Sequence, residues 1–428
     1  MAASVTVDQG GQGRKGRSWT GLDDPIVRCS MKLDSLKPLL DRSGSLTTVS
    51  LDVTRAEDAG DRDIRSRWNG LRRQLESQGA PEGDLQALAE VVLRPTHVPG
   101  PHGRFVVAGE GEVLFDRVLA DAPPRDEAYH DGIPALMPAA QAADEAVRYL
   151  LVEVDRSGAD LSWSGSQSHA ADQPMEAVEG GHDVLHKVRA GGWSHRRMQS
   201  RVEDSWDRNA EVVAAELDRA VVEHRPDLVM ITGDVRAVPL IRGAVGQQTA
   251  ELLVEVPGGS RAEGVKEEAF AENVHAVLEA FRARRREDVA DRLREALGRG
   301  EGAVTSLPDV VEVLRRGQVS ELIVIEDAAG SAAPLGDHEL WAGPEPLHLG
   351  MRASEIAALG VDEKHTRAVR GDVALLRAAL AQDAGVTFLL EGSVDVVDGV
   401  AALLRWNDQA TPHETAPSYT EDTHRKGH

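Results

Sequence analysis

The chain has 428 residues and a formal net charge of −23, with 41% hydrophobic and only 4% aromatic residues. That balance suits a globular protein of about two to four domains with cores of Val, Leu, Ile and Ala, and it disfavours a protein that grips duplex DNA over a broad basic surface. The single cysteine, Cys29, excludes an intrachain disulfide and a cysteine-built zinc site.

No apolar run reaches membrane-spanning length and no signal peptide is visible, so no membrane contact and a cytoplasmic location are expected. Residues 1–30 are Gly-rich and aperiodic and read as a disordered extension. The triplet Gly10, Gly11, Gln12 within it has no flanking strand or helix and reads as chance. An N-terminal α/β domain is expected over residues 31–140. It holds a strand at Ser45–Val53, helices at Arg62–Gly79 and Glu82–Val92, and a hairpin over Arg104–Leu119 that turns at Gly109–Gly111. A Pro-rich stretch, "DAPPRDEAYHDGIP", reads as the connector that follows.

A central domain is expected over 145–280. Val147–Ser166 alternates as two strands about a polar turn. After a Ser/Gly/His/Gln-rich loop comes "HDVLHKVRAGGWSHRRMQSRVEDSW", His182 to Trp206. A helix starting near Ser194 carries Met198, Val202, Trp206, Ala210, Val213, Leu217 and Val221 at three- and four-residue steps, one apolar stripe. Leu228–Thr232 reads as a buried strand, followed by a Gly-Asp turn and a short helix, and "TAELLVEVPGG" reads as a last strand. The charged run "NVHAVLEAFRARRREDVADRLREALGRGEGAV" reads as a connecting helix with a solvated face. A third domain is expected over 285–410, with Pro308 near a helix start, Gly317 near its end, a buried strand at Glu321–Glu326, a helix–strand pair in "GDVALLRAALAQDAGVTFLL" and a closing segment at Val397–Trp406. Residues 411–428 read as a disordered tail. Helix–strand alternation makes the whole chain α/β.

No P-loop, metalloprotease or nucleophile-elbow pattern is present, and "AGEGEV" at Ala108 lacks dinucleotide spacing. His182 and His186 have helical spacing but no third metal ligand, so no metal site is expected. The basic loop is the remaining candidate. Gly191 and Gly192 allow tight backbone approach. Lys187, Arg189, Arg196, Arg197, Arg201 and Arg208 crowd the region, and Arg197, Arg201 and Arg208 fall near one helix face. An exposed Trp193 could stack on a base, worth about 1–3 kcal/mol. Residue types alone support two readings equally. One is an RNA-reaching finger. The other is a plain glycine turn, with Trp193 in the core and Glu203, Asp204 and Asp207 neutralising the arginines.

Residues 149–243 resemble the central domain of the archaeal and eukaryotic class-one release factor family, which includes Pelota. The resemblance rests on Leu151–Asp155, Val184–Val188, the Gly191-Gly192-Trp193 triplet, Ser194, Arg197, Arg201, "DLVMITGD" and "LIRGAV". "AVTSLPDVVEVLRRGQVSELIVIED" and "DGVAALLRW" resemble the family's C-terminal segment. The nearest likeness is to the bacterial branch, which contains the Balon-like hibernation factors.

The resemblance implies three α/β domains: a decoding-side domain, an RNase H-like domain presenting the Gly-Gly-Trp loop, and an L7Ae-like domain. It implies no cofactor. It also implies contacts with ribosomal RNA of the A site and peptidyl-transferase centre through Lys187, Arg189, Gly191, Gly192, Trp193, Ser194, His195, Arg196, Arg197, Arg201 and Arg208, and an encounter with elongation factor Tu. Hydrolytic members of the family carry Gln where this chain has Trp193. Indole donates a hydrogen bond but accepts none, so water placement against the ester is expected to be lost. "DIRSRWN" (Asp63–Asn69) faintly echoes the stop-codon-reading loop, yet its surroundings read as an ordinary helix. The expected function is occupancy of the A site of idle ribosomes as a hibernation factor without catalysis. The rivals are a peptidyl-tRNA hydrolysing release or rescue factor and a stress-induced protein-binding adaptor.

Overall fold

The computed structural model of the chain describes residues 33–42, 44–55, 60–96, 98, 101–119, 121–155, 158–164, 206–259, 267–327 and 333–412. After a 3-10 turn at Asp34–Leu39, the N-terminal part runs β1 (Leu46–Asp52), α1 (Gly60–Ser77), α2 (Glu82–Val92), β2 (Gly103–Gly109), β3 (Glu112–Leu119), β4 (Glu127–Asp131) and α3 (Met137–Glu145). Its sheet is antiparallel in the order β3-β2-β1-β4. The β2–β3 turn places Glu110 at φ 55° and Gly111 at φ 81°, the paired left-handed geometry that matches strand twist. On α1, Ile64, Trp68, Leu71 and Leu75 recur at helical spacing and bury against Val49, Leu51 and Val106. The segment Asp63–Asn69 is therefore helix, as its surroundings suggest. The expected Pro-rich connector is corrected: it contains β4, which closes the open edge of β1 with Ala128 turned into the core.

The central part runs β5 (Tyr149–Asp155), β6 (Gly158–Ser164), α4 (Trp206–His224), β7 (Leu228–Gly233), α5 (Ala237–Ala244), α6 (Gln247–Leu252) and β8 (Leu253–Glu255). The sheet order is β6-β5-β7-β8, with β5, β7 and β8 parallel and β6 antiparallel to β5. Strand alternation splits the core by parity. Leu150, Val152, Val154, Val229 and Ile231 meet Ala210, Val213, Leu217 and Val221 of α4 on one face. Tyr149, Leu151, Leu228 and Met230 face the other way. "TAELLVEVPGG" is only partly strand. Asp218 accepts hydrogen bonds from Gly246 N at 3.0 Å and Thr249 Oγ1 at 2.5 Å, which holds the start of α6 in helical form.

The C-terminal part runs α7 (Glu267–Arg299), β9 (Ala303–Val304), α8 (Leu307–Arg315), β10 (Val319–Glu326), α9 (Ala333–Gly336), β11 (Glu339–Ala342), β12 (Leu349–Gly350), α10 (Ala353–Ala358), β13 (Arg367–Arg370), α11 (Gly371–Ala381), β14 (Gly385–Leu390) and β15 (Val400–Leu404). The main sheet is β14-β10-β15-β9, and β12-β11-β13 form a small second sheet. Ser306 caps α8 by accepting from Asp309 N, with Pro at the first turn.

Two features tie these parts together. A single core joins Leu36, Phe105, Val107 and Ala140 to Leu314, Val324, Phe388 and Ala402, so the first and last parts share one apolar interior. Helix α7 spans the other junction. Phe270, Val274 and Leu278 pack on the central sheet, while Val289, Ala290, Leu293 and Ala296 pack on the C-terminal sheet. α7 has the expected solvated face and, in addition, a buried stripe at each end.

Candidate functional site

The central sheet fixes both anchors of the Gly-Gly-Trp stretch. β6 runs against β5 and ends at Ser164, beside the start of β5. There Asp227 receives Arg148 N at 2.9 Å and pairs with the Arg148 guanidinium at 3.2 Å, while Asp227 N donates to Arg148 O at 2.7 Å. Trp163 stacks on His224, with ring centroids 5.0 Å apart. His224 ends α4, so α4 runs antiparallel to β5 and β7, and its first residue, Trp206, lies toward the C-terminal ends of those strands. Ser164 and Trp206 thus stand toward opposite ends of the strands.

At the C-terminal ends of β5 and β7 the backbone closes on itself. Gly233 has φ +132°, and a Cβ there would collide with Val154 O. Asp234 N donates to Val154 O at 3.0 Å, and the Asp234 carboxylate receives Arg236 N at 2.8 Å. Thr232 Oγ1 receives Gly259 N at 3.0 Å. These groups are occupied in shaping the turn. Among the described residues no group of three or more His, Cys, Asp or Glu could hold a metal, and no helix is long and apolar enough to cross a membrane.

Of the expected site residues, Lys187, Arg189, Gly191, Gly192, Trp193, Ser194, His195, Arg196, Arg197 and Arg201 lie outside the described residues, as do Met198, Val202, Glu203 and Asp204. Arg208 stands in the first turn of α4. The described part of the apolar stripe is buried at Ala210, Val213, Leu217 and Val221.

A charged joint between α3, α7 and the C-terminal sheet is not apparent in the sequence. Asp144, 1% exposed, pairs with Arg285 and accepts from Phe388 N at 3.3 Å. Arg282 Nε donates to Glu145 O at 2.8 Å, and Arg286 lies 3.6 Å from the Glu145 carboxylate. On β10, Glu321 receives Thr387 Oγ1 at 2.6 Å. Burial pushes the Glu321 carboxyl up to about 7, against the opposing pull of the Thr387 bond and Arg292. Burial, then the charge of Glu145, pushes Glu326 up to about 8. Burial also raises Glu145, with Arg286 opposing. The sequence signal is the set Arg282, Arg285 and Arg286, at helical spacing on α7. Their acidic partners lie far away in the chain, so the arginines read as a solvated face.

Residues 148–299 match the family described as "Bacterial archaeo-eukaryotic release factor family 2". An uncharacterised protein of Mycobacterium tuberculosis is 27% identical over 379 residues, covering 88% of this chain and 97% of the relative. Among solved structures, S. cerevisiae Dom34, a translation termination-like factor, is 10% identical with a TM-score of 0.36, covering 73% of this chain and 81% of that one. Archaeoglobus fulgidus Pelota is 10% identical with a TM-score of 0.31, covering 89% and 92%. The family match covers the central part of the chain and helix α7.

Proposed function

We propose that this release-factor relative is a ribosome-binding factor that occupies the A site of idle ribosomes and performs no peptide release. The observation that carries the reading is a family match over the central part together with Trp193 after Gly191 and Gly192, where hydrolytic relatives carry Gln. Release requires a water held against the ester by a group that can accept its hydrogen bond, and indole nitrogen only donates. A bulky aromatic ring with Arg196, Arg197 and Arg201 following is instead suited to lodging against stacked bases and phosphates. Lys187, Arg189, Ser194, His195 and Arg208 complete the proposed contact set. The acidic remainder of the chain restrains indiscriminate adhesion to RNA. Elongation factor Tu is the proposed protein partner.

Sedimentation through sucrose with vacant ribosomes tests the binding. The chain is expected in the ribosomal pellet at low salt and to leave it steeply as salt rises, because phosphate contacts release counterions. The triple variant R196E/R197E/R201E is expected to stay in the supernatant. Pelleting that ignores both salt and these substitutions contradicts the proposed interface.

A further inference from the structure

A hollow of about 300 Å³ lies where the N-terminal and C-terminal parts meet. Its wall carries Arg42, Lys364, His365, Arg367 and Arg377, and the other lining residues are Leu, Ile, Gly, Pro and Thr. No carboxylate lines it, in a chain with 71 Asp and Glu against 48 Lys and Arg. Like charges do not gather without a counter-charge unless something compensates them.

The compensation within the protein is partial. Arg367 pairs with Asp131 at 2.6 Å, and Lys364 has Asp362 at 3.4 Å. Arg42 has no ion-pair partner among the described residues. Arg377 is 8% exposed and donates to Gly343 O at 2.9 Å and to Pro344 O, which uses two of its five N–H groups. Burial first, and then the Arg367 guanidinium, push Arg377 down to about 10, with Glu345 opposing. The hollow is thus a site of positive potential with a fixed guanidinium in its wall.

We propose that this hollow binds the phosphoryl end of a small phosphorylated molecule, up to the size of a mononucleotide. A phosphomonoester brings about 1.5 to 2 negative charges and three strong acceptor oxygens, which suits a hollow whose wall holds several basic side chains and no carboxylate. The volume lies at the lower end of the range for small-molecule sites, about 300–1,000 Å³, and domain junctions are where such sites collect. An RNA strand is the poorer fit. Asp131, Asp362, Glu363 and Glu345 flank the lining in sequence and would repel a continuing chain of phosphates, whereas a compact anion sits inside them. A ligand here would bridge the two parts that share the long core. This inference stands apart from the ribosome reading.

The test is calorimetric titration of the full chain with inorganic phosphate, inorganic pyrophosphate, AMP and a single-stranded RNA decamer. Pyrophosphate or AMP is expected to bind more tightly than inorganic phosphate. The double variant R42E/K364E, whose side chains are not needed for packing, is expected to weaken that binding by about tenfold or more. R377A removes the bonds that hold the 343–344 turn, so it is read only alongside the surface pair. Equal or tighter binding of inorganic phosphate, binding of the decamer alone, or undiminished binding by the double variant each overturns the proposal.

Discussion

β7 and β10 are both buried strands with a parallel neighbour, and they differ in one respect. β7, Leu228–Gly233, carries no ionisable side chain. β10, Val319–Glu326, is buried throughout and carries Glu321 and Glu326. The central sheet is held by apolar packing on both faces. The C-terminal sheet adds carboxyls whose stability depends on their proton and on what faces them. Its charged joint also includes Asp144 and Arg285, where α7 crosses between the two sheets. Cohesion in one region should therefore ignore pH, and in the other it should follow pH.

The largest effect is expected at the joint. Asp144→Ala removes the carboxylate beside a mostly buried Arg285 and is expected to cost about 3–5 kcal/mol in urea unfolding. A loss within the scatter of a surface substitution would show that the joint contributes little. In the dry region, Leu217→Ala at a fully buried site on α4 is expected to cost about 3 kcal/mol, by the same amount at pH 5 and pH 8. A pH-dependent loss there would erase the contrast between the regions.

The titration itself gives a third expectation. Glu321 and Glu326 have folded values of about 7 and about 8 against 4.5 for the free group. The folded state therefore holds the extra protons between these values. The stability they support is complete below about 4.5 and is lost as pH rises through about 7 and 8. The fall between pH 4.5 and 8 should amount to roughly 3 kcal/mol or more. Glu321→Gln keeps an acceptor for Thr387 and should flatten the lower part of it, as read in unfolding midpoints from pH 5 to 8. The smallest effect is local. Ser306→Ala removes the cap of α8 and should cost about 1 kcal/mol with no pH signature.

Regular periodicity made most of the scaffold legible. The stripe from Ala210 to Val221, the hairpin turn at Gly109–Gly111 and the Pro308 and Gly317 boundaries are all local signals, and the folded elements follow them. Elements defined by distant partners were not legible. β4 sits among prolines and exists because β1 has an open edge. β11 and β13 are four residues each, and β11 pairs with β13 on one side and β12 on the other. The arginines of α7 look solvated until Asp144 and Glu145 arrive from α3. The basic hollow draws Arg42 and Lys364 together from opposite ends of the chain, and no window of sequence contains both. The Gly-Gly-Trp stretch is the reverse case: its residue types state a chemistry locally, and the fold supplies the two anchors at Ser164 and Trp206.

We propose that Trp193 has removed release chemistry from a ribosome-binding frame. The direct measurement is single-turnover release of labelled peptide from ribosomes that hold peptidyl-tRNA with an empty A site, with co-pelleting checked in the same reaction. The protein is expected in the pellet, with no peptide released above background. Release by the wild-type chain, abolished by Gly191→Ala while pelleting persists, would contradict it.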